Sequence, residues 1–307
     1  MAHRSSDSGT KQDRRGDGRS ANERVGIIGA GRTGTALAWH CSRLGYRIAG
    51  VTDKRAKQAW IAYGLLKKSY ERLKASEVAA RSDVLLLTTP DANIGPVFVA
   101  VKRWLRPKAI VVHCSGVLGV EVFKGAAEQR LETLALHPIQ SFSSHAQAIQ
   151  DLAGSFFALE GTARGLRFGR KLVRQLGGGF VTIEGRNRPL YHAMCVFASN
   201  FENVLVDAAE TIADKLGISR RRAARMLAPL MRTVLENAVE YGASSSLTGP
   251  IQRGDDGTVA QHLAALQDRA PELTDIYRVL SLRLVESARC QGLSSAAAGR
   301  LRKVLER

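Results

Sequence analysis

The sequence predicts an α/β doubly wound parallel sheet followed by an all-α C-terminal domain. Three observations support this prediction. A glycine-rich turn near the start of the chain joins an apolar segment to a helical pattern. Up to residue 186, apolar segments then alternate with helical ones, as in parallel sheets that helices cover on both faces. After residue 186 only helical patterns follow.

The predicted strands are short apolar runs closed by turn residues, and the helices repeat their apolar positions about every 3.6 residues. After a first strand that leads into the glycine turn, the strands are residues 47–52, 83–88, 109–113, 131–137, 155–160 and 180–183. The helical segments are residues 57–80, 93–104 and 165–176, and later 191–216, 220–242, 258–269, 271–291 and 294–306.

These patterns divide the 307 residues into three regions, 1–22, 23–186 and 187–307. The first region is rich in Ser, Asp, Arg and Gly and has no apolar segment. We therefore expect a disordered polar and basic tail there, and not a secretory signal.

The net charge of +17 suggests a nucleic-acid partner, but the distribution of charge argues against one. Most of the charge is arginine spread along helical segments among acidic residues, and aromatic residues make up only 6% of the chain. The densest run, residues 220–222, follows a candidate N-cap, Ser219, and fits a solvated helix start. We expect a small anionic ligand and no nucleic acid.

Membrane spans, disulfides and metal sites are not expected. No apolar run approaches the ~20 residues that a membrane helix needs. The four cysteines lie far apart and form no CxxC pair, which is typical of a cytoplasmic protein without a metal site.

The glycine turn reads Gly29-x-Gly31-x-x-Gly34, with Arg32 and Thr33 inside it. In a strand–turn–helix unit, the first glycine permits the tight turn, the second lets backbone approach a pyrophosphate, and the third lets helix and strand pack closely. The helix N-terminus adds free N–H groups and partial positive charge. We therefore interpret residues 23–186 as a Rossmann-like dinucleotide-binding domain; the alternative is a glycine-rich turn without a ligand.

The end of the second strand bears on the choice of cofactor. Asp53 occupies the place of the acid that binds the ribose of NAD. Lys54 and Arg55 follow it, and with Arg32 they could clamp the additional phosphate of NADP. We expect NADP(H), with Asp53 turned away from that phosphate; NAD(H) stays open, as does a solvated turn at these cations.

Two further strand ends are candidates for ligand binding, because ligands of open α/β sheets bind beyond the carboxyl ends of the strands. Thr89 and Pro90 would lie under the nicotinamide half of the cofactor. Ser115 and Gly116 would offer a hydroxyl and backbone N–H groups to a small anionic substrate. His137 ends the next strand, either as a site residue or as a turn residue before proline.

The first C-terminal helix has two different faces when it is drawn at 100° per residue. His192, Ser199 and Asn200 surround Val196 on an uncharged polar face, which indicates the wall of a cleft or a second buried contact. The opposite, apolar face is predicted to be core and comprises Leu190, Met194, Phe197, Phe201, Leu205, Ala208 and Ile212.

A loop rich in Gly, Ser and Pro follows at residues 244–257. Arg253 within it could pair with a substrate carboxylate in a bidentate geometry. Alternatively, Arg253 pairs with Asp255 at a surface turn.

Several motifs together carry a resemblance to a known family. Beside the glycine turn, these are Val-Val-His-Cys-Ser-Gly at 111–116, Leu-His-Pro at 136–138, Phe-Ala-Leu-Glu-Gly at 157–161, Tyr-His-Ala at 191–193, Phe-Ala-Ser-Asn at 197–200 and Leu-Thr-Gly-Pro-Ile-Gln-Arg-Gly-Asp at 247–255. The chain resembles a two-domain bacterial family that joins a Rossmann-like domain to a helical C-terminal domain of unassigned function. More broadly, it resembles the 6-phosphogluconate dehydrogenase-like superfamily, which includes β-hydroxyacid dehydrogenases, pyrroline-carboxylate reductases and ketopantoate reductases.

The resemblance implies an NADP(H)-dependent oxidoreductase that reduces a small oxo-acid, with 2-dehydropantoate as the expected substrate. It also implies that residues 187–307 form a helical substrate and dimerisation domain. Two alternatives stay open, an imine reductase of the pyrroline-5-carboxylate type and a non-catalytic NADP-binding sensor or scaffold.

One departure from the superfamily pattern affects the catalytic residues. Val196 stands where β-hydroxyacid dehydrogenases carry a catalytic lysine, although Asn200 matches the asparagine that follows it. We therefore expect His192 to donate the proton, with Asn200 and Ser199 hydrogen-bonding the substrate oxygen. Ser115 and Arg253 would hold the carboxylate.

Overall fold

The computed structural model describes residues 23–307, so the predicted tail at 1–22 lies outside the described residues. The chain divides into two compact units, the first ending at Val196 and the second beginning at Phe197. The predicted boundary after residue 186 falls earlier. The segment that follows it belongs with the sheet, because the buried Arg188 side chain donates a hydrogen bond to the carbonyl oxygen of Ser115.

The first unit is built on one seven-stranded sheet with the strand order β2-β1-β3-β4-β5-β6-β7. Its strands are β1 (Arg24–Ile28), β2 (Arg47–Thr52), β3 (Val84–Leu87), β4 (Ile110–His113), β5 (Glu132–Pro138), β6 (Phe156–Gly161) and β7 (Gly179–Thr182). Strands β1 to β5 are parallel, as the sequence predicts.

The prediction of a fully parallel sheet is wrong at β6, which pairs antiparallel with β5, while β7 pairs parallel with β6. A parallel pair needs a crossover that returns the chain from the carboxyl end of one strand to the amino end of the next. The connection from β5 to β6 makes no such crossover. Its helix packs instead beside the first helix, where the His40 ring lies 2.8 Å from the carbonyl oxygen of Ile149.

Between residues 23 and 197, seven α-helices accompany the sheet. They are α1 (Arg32–Arg43), α2 (Ala56–Leu65), α3 (Ala75–Arg81), α4 (Asp91–Val101), α5 (His145–Leu152), α6 (Ala163–Gln175) and α7 (Arg188–Phe197). The segment predicted as one helical region at 57–80 forms α2 and α3, and α5 was not predicted.

The two faces of the sheet bury alternate residues of the same strands, as the two-residue period of a strand requires. One face places Val25 and Ile27 in a cluster with helices α1 and α6. The other places Ile28 and Leu85 in a cluster with α3 and α4. The predicted doubly wound architecture is confirmed.

The second unit is helical. Its helices are α8 (Asn200–Lys215), α9 (Arg220–Tyr241), α10 (Pro250–Arg253), α11 (Asp256–Arg269), α12 (Thr274–Cys290) and α13 (Ser295–Leu305). A small apolar core joins α10 to α13 around Val259, Val285 and Leu301. Between residues 23 and 307, no helix combines the length and apolarity that crossing a membrane requires.

The helix predicted over residues 191–216 is wrong as one continuous helix. The backbone of Ser199 lies at φ −143° and ψ −68°, outside the helical region, and separates α7 from α8. The predicted apolar core face is also wrong within the described chain, because Leu190 is 78% and Phe197 is 70% exposed. Apolar periodicity indicates a surface that avoids water, but it does not say which partner covers it.

Candidate active site

The glycine turn after β1 has the geometry that its spacing predicts. Gly29 has φ +106°, and a Cβ there would lie 2.6 Å from the carbonyl carbon of Thr88. A Cβ on Gly34 would lie 2.2 Å from the carbonyl oxygen of Gly29, so α1 approaches the turn closely. Gly31 faces open space, with nothing within 4 Å of its Cβ position. The turn therefore offers exposed backbone at the N-terminus of α1, where a phosphate could bind.

The carboxylate of Asp53 is turned towards this glycine turn. One oxygen accepts a hydrogen bond from the backbone N–H of Ala30 and the other from that of Arg55, each at 2.8 Å. The Asp53 side chain is only 11% exposed, whereas that of Arg55 is 72% exposed. Lys54 is exposed as well. The negative charge is thus held inward, and the two cations face the solvent beside the turn.

The other residues predicted to bind the cofactor lie around the same turn. The Arg32 guanidinium donates to the carbonyl oxygen of Phe142 at 2.7 Å, and Thr33 is half-buried. At the end of β3, Pro90 is the N-cap of α4. The buried Thr89 hydroxyl has no hydrogen-bond partner among residues 23–307, which fits a site that a polar ligand completes.

The parallel strands align the candidate residues along one edge of the sheet. The carboxyl ends of β1, β3, β4 and β5 are neighbours in that order, and they carry the glycine turn, Thr89, Ser115 and His137. Three inter-strand spacings, about 14 Å, separate the first of these ends from the last.

His113 braces the turn after β4. Its Nδ1 accepts a hydrogen bond from the N–H of Ser115 and its Nε2 donates to the carbonyl oxygen of Gly119, each at 3.2 Å, so the ring is the neutral Nε2–H tautomer. Burial, and secondarily the charge of Arg188, lowers the pKa of His113 to about 4. Burial also raises the pKa of the Cys114 thiol to about 12, so this thiol is not a nucleophile.

Ser115 is buried, and its hydroxyl oxygen accepts hydrogen bonds from the N–H groups of Val117 and Leu118. The Ser115 hydroxyl, which was predicted to bind the substrate, thus stabilises the turn in which it lies. Arg188, which is fully buried, donates to the Ser115 carbonyl oxygen at 2.7 Å and lies 3.7 Å from a carboxylate oxygen of Glu160. Burial raises the pKa of Glu160, and the Arg188 charge opposes that rise.

His137 and His192 meet at Gly116. The ring centroids of the two histidines are 6.2 Å apart. A Cβ on Gly116 would lie 2.4 Å from Cδ2 of His192 and 3.0 Å from Nε2 of His137, so only glycine leaves room there. The Tyr191 hydroxyl lies 2.6 Å from Nδ1 of His137. Burial, and then the charges of Arg188 and His192, lowers the pKa of His137 to about 4.

Three of the predicted site residues belong to the second unit, namely Ser199, Asn200 and Arg253. Ser199 is half-buried and donates its hydroxyl hydrogen to Oδ1 of the exposed Asn200 at 3.1 Å. The helix break at Ser199 removes the basis for placing His192, Ser199 and Asn200 on one helix face. Their predicted roles in catalysis are not tested by this arrangement.

Arg253 is exposed at the end of the short helix α10. The charge of Arg253 helps to lower the pKa of Asp255, after the hydrogen bonds from Thr258, but among the described residues the two side chains form no ion pair within 4 Å. The Asp255 carboxylate instead caps α11 by accepting from the backbone N–H of Thr258 at 3.0 Å and from its hydroxyl at 2.7 Å.

Sequence reasoning missed two residues of the first unit's cluster, Arg188 and Tyr191. Tyr191 directly precedes His192, and this adjacency was the signal available for it. Nothing distinguished Arg188 among the 45 basic residues of the chain. Within residues 23–307 there is no group of three or more His, Cys, Asp or Glu side chains placed to hold a metal ion.

Comparison with protein families identifies both parts of the chain. Residues 9–138 match a Rossmann-like domain, and residues 155–284 match a domain of unknown function, DUF2520. A search of curated proteins finds no match.

Solved structures share the fold over nearly the whole chain. A candidate NADP oxidoreductase from Bacteroides fragilis is 22% identical, with a TM-score of 0.73 over 87% of this chain and 99% of that one. A pyrroline carboxylate reductase from Plasmodium falciparum with NADP bound is 13% identical, with a TM-score of 0.57 over 92% and 98%.

A reductive aminase from Aspergillus terreus, in complex with NADPH and ethyl-5-oxohexanoate, is 14% identical, with a TM-score of 0.58 over 93% of each chain. At these identities the likeness shows the fold. The two family models, a Rossmann-like domain and DUF2520, together match most of the chain in that order.

Proposed function

We propose that this protein is an NADP(H)-dependent oxidoreductase that reduces the carbonyl group of a small oxo-acid, with 2-dehydropantoate as the first substrate to test. The observation that carries the proposal is the pair of imidazoles, His137 and His192, that meet at Gly116. His137 lies at the carboxyl end of β5, along the sheet edge that begins with the glycine turn. Ligands of open α/β sheets bind at this edge.

Three features of the described residues fit NADP(H). Gly31 exposes backbone at the start of α1, and the buried Thr89 hydroxyl lacks a partner within residues 23–307. The Asp53 carboxylate is bound by backbone N–H groups, and Arg55, although its Nε lies 3.7 Å from that carboxylate, is 72% exposed, so it and the exposed Lys54 could meet an additional phosphate. Two of the structural relatives contain NADP or NADPH.

When bound, the cofactor supplies a hydride for the carbonyl carbon. The C=O π pair then moves to oxygen, and the oxygen takes a proton from His192, which yields the hydroxy acid. The turn at Ser115 and Gly116 would position the substrate, and Arg188 holds that turn through the Ser115 carbonyl. The proposal also includes two roles for other predicted residues. Asn200 and Ser199 would hydrogen-bond the substrate oxygen, and Arg253 would pair with the carboxylate.

An imine reductase is the second candidate. Val196 stands where β-hydroxyacid dehydrogenases carry a catalytic lysine, so a strong protein acid is missing at that position. A protonated imine already carries its proton and needs less from a protein acid. The likeness to a pyrroline carboxylate reductase and a reductive aminase favours the same candidate.

Purified protein assayed with NADPH separates these functions. Oxidation of NADPH with 2-dehydropantoate, or with related oxo-acids, supports the proposed reductase. Turnover of pyrroline-5-carboxylate in the absence of oxo-acid turnover supports the imine reductase. Tight NADPH binding without turnover of any oxo-acid or of pyrroline-5-carboxylate would favour a sensor or scaffold. Val196 in place of the superfamily's catalytic lysine is the reason to consider that function.

Replacing both exposed cations, in Lys54→Ala/Arg55→Ala, should weaken NADPH binding by about 10- to 100-fold, because charged hydrogen bonds to the phosphate are lost. Binding of NADH should change little. The measurement is the Kd of each cofactor by fluorescence titration. The control is Lys68→Ala/Arg72→Ala, which removes two exposed cations after α2. Equal loss of affinity for NADH and NADPH would contradict the assignment to NADP.

We also propose that two copies of the chain pair through α8 and α9. These helices bury one residue each within the described chain, Ala213 and Ala223. Their apolar side chains are 38–80% exposed, namely Phe201, Val204, Leu205, Ile212, Met226, Leu230, Val234, Leu235, Val239 and Tyr241. Monomers rarely expose so large an apolar surface, and a stable dimer needs about 800 Å² per partner. A second copy provides a surface of matching chemistry by symmetry.

The double variant Leu230→Asp/Val234→Asp should therefore be monomeric, because it places charges within the proposed apolar interface. Light scattering after size exclusion measures the mass of the eluted protein, and the wild-type protein should have twice the chain mass of 33.3 kDa. Arg232→Asp, a charge change at an exposed polar position of α9, is the control and should remain a dimer. A monomeric wild-type protein at micromolar concentration would contradict the pairing.

A further inference from the structure

The two ring nitrogens of His137 have different surroundings. Nδ1 lies 2.6 Å from the hydroxyl oxygen of Tyr191, which is itself buried. Nε2 lies 3.0 Å from the Cβ position of Gly116 and beside the ring of His192. Within residues 23–307 Nε2 has no hydrogen-bond partner, and it is not among the buried unpaired atoms. It can therefore meet a ligand.

The hydroxyl of Tyr191 decides which ring nitrogen carries the proton. Either the phenol donates to Nδ1 of His137, or Nδ1–H donates to the phenolic oxygen. Burial, and then the interaction with Cys195, raises the pKa of Tyr191, so the phenol keeps its hydrogen. The first arrangement is stronger, because a phenol is a good donor and an imidazole nitrogen is more basic than a phenolic oxygen.

The groups around His137 also keep the ring uncharged. Arg188, Tyr191 and His192 face it from α7, and His113 interacts with it from β4. The fixed charge of Arg188 opposes a second positive charge on the imidazole, and so does burial. A neutral ring that accepts at Nδ1 must carry its hydrogen on Nε2.

We propose that Tyr191 is a positioning residue that fixes His137 as the neutral Nε2–H tautomer, and that this N–H donates a hydrogen bond to the carbonyl oxygen of the substrate. The inference rests on the proposed function. During reduction His137 keeps its proton, and its hydrogen bond strengthens as negative charge develops on the oxygen.

The same geometry selects between the two candidate substrate classes. A carbonyl oxygen accepts the Nε2–H of His137 through a lone pair. A protonated imine nitrogen has no lone pair and carries its own hydrogen, so two N–H dipoles would oppose each other at this position. The site therefore recognises an oxo-acid in preference to an iminium substrate.

Nitrogen NMR of the imidazole side chains tests the tautomer without any substrate. The His137 signals are assigned by their loss in His137→Gln. We expect Nε2–H at pH 7 in the wild-type protein, and a mixture of tautomers or a higher pKa in Tyr191→Phe. Tyr46→Phe is the matched control, because this buried hydroxyl donates to Gln175 at 3.0 Å. An Nδ1–H or cationic ring in the wild-type protein would overturn the proposal, even if Tyr191→Phe does not fold.

Kinetics test the catalytic part. Tyr191→Phe should lower kcat for the oxo-acid about 10-fold, with the KM for NADPH unchanged, because one oriented hydrogen bond is lost in the transition state. In a His137→Gln background the same change should have no further effect, since glutamine donates from a similar position without a tautomer. Equal effects in both backgrounds would show that Tyr191 acts elsewhere. If no oxo-acid is reduced, the proposed function fails while the NMR result still decides the tautomer.

Discussion

His192→Ala is expected to lower the turnover number about 10²- to 10⁴-fold and to leave the affinity for NADPH nearly unchanged. The imidazole is the proposed proton donor, and it stands at Gly116, beyond β4. The glycine turn and Asp53, which are proposed to bind the cofactor, lie instead at the ends of β1 and β2. Steady-state kcat with the best oxo-acid, together with the Kd of NADPH, measures the two effects separately.

Two further measurements make this prediction specific. Added imidazole should restore part of the activity of His192→Ala, because a small acid can occupy the space that the ring leaves. His262→Ala removes an exposed histidine on α11 and should keep wild-type turnover. Wild-type turnover in His192→Ala would exclude His192 from the mechanism.

Arg188→Met is expected to lower the free energy of unfolding by about 3–5 kcal/mol, because the largely buried Glu160 loses its neighbouring cation and the Ser115 carbonyl oxygen loses its donor. The Arg188 side chain is fully buried beside Glu160, and it also holds the Ser115 carbonyl. Urea denaturation measures the loss. In the double variant Arg188→Met/Glu160→Gln, much of the stability should return, since neither charge remains.

The control for this change is Arg186→Met, two residues earlier in the chain. Arg186 also forms an ion pair, with Glu184, but its side chain is 82% exposed. Exposed pairs contribute about 0–1 kcal/mol, so this variant should be nearly as stable as the wild type. If Arg188→Met were equally stable, the buried guanidinium would not be needed to compensate Glu160.

Much of the first unit could be predicted from local sequence. The strand at residues 47–52 and the turn at Gly29 and Gly34 follow from short-range rules, because apolar alternation and glycine conformation depend on neighbouring residues. The orientation of Asp53 could be stated only as a condition for NADP(H). Its hydrogen bond to Ala30 spans 23 residues and is visible only in the fold.

The amino-acid sequence by itself determined the sheet-then-helix order and the glycine turn, and it indicated the candidate histidines. Tertiary structure decided the direction of β6, the break at Ser199 and the meeting of His137 with Tyr191, which are 54 residues apart. It also decided that many apolar side chains of α8 and α9 are exposed among residues 23–307. The physical reason is that periodicity reports how a segment avoids water, whereas strand direction, buried charge compensation and contact partners depend on residues that only folding brings together.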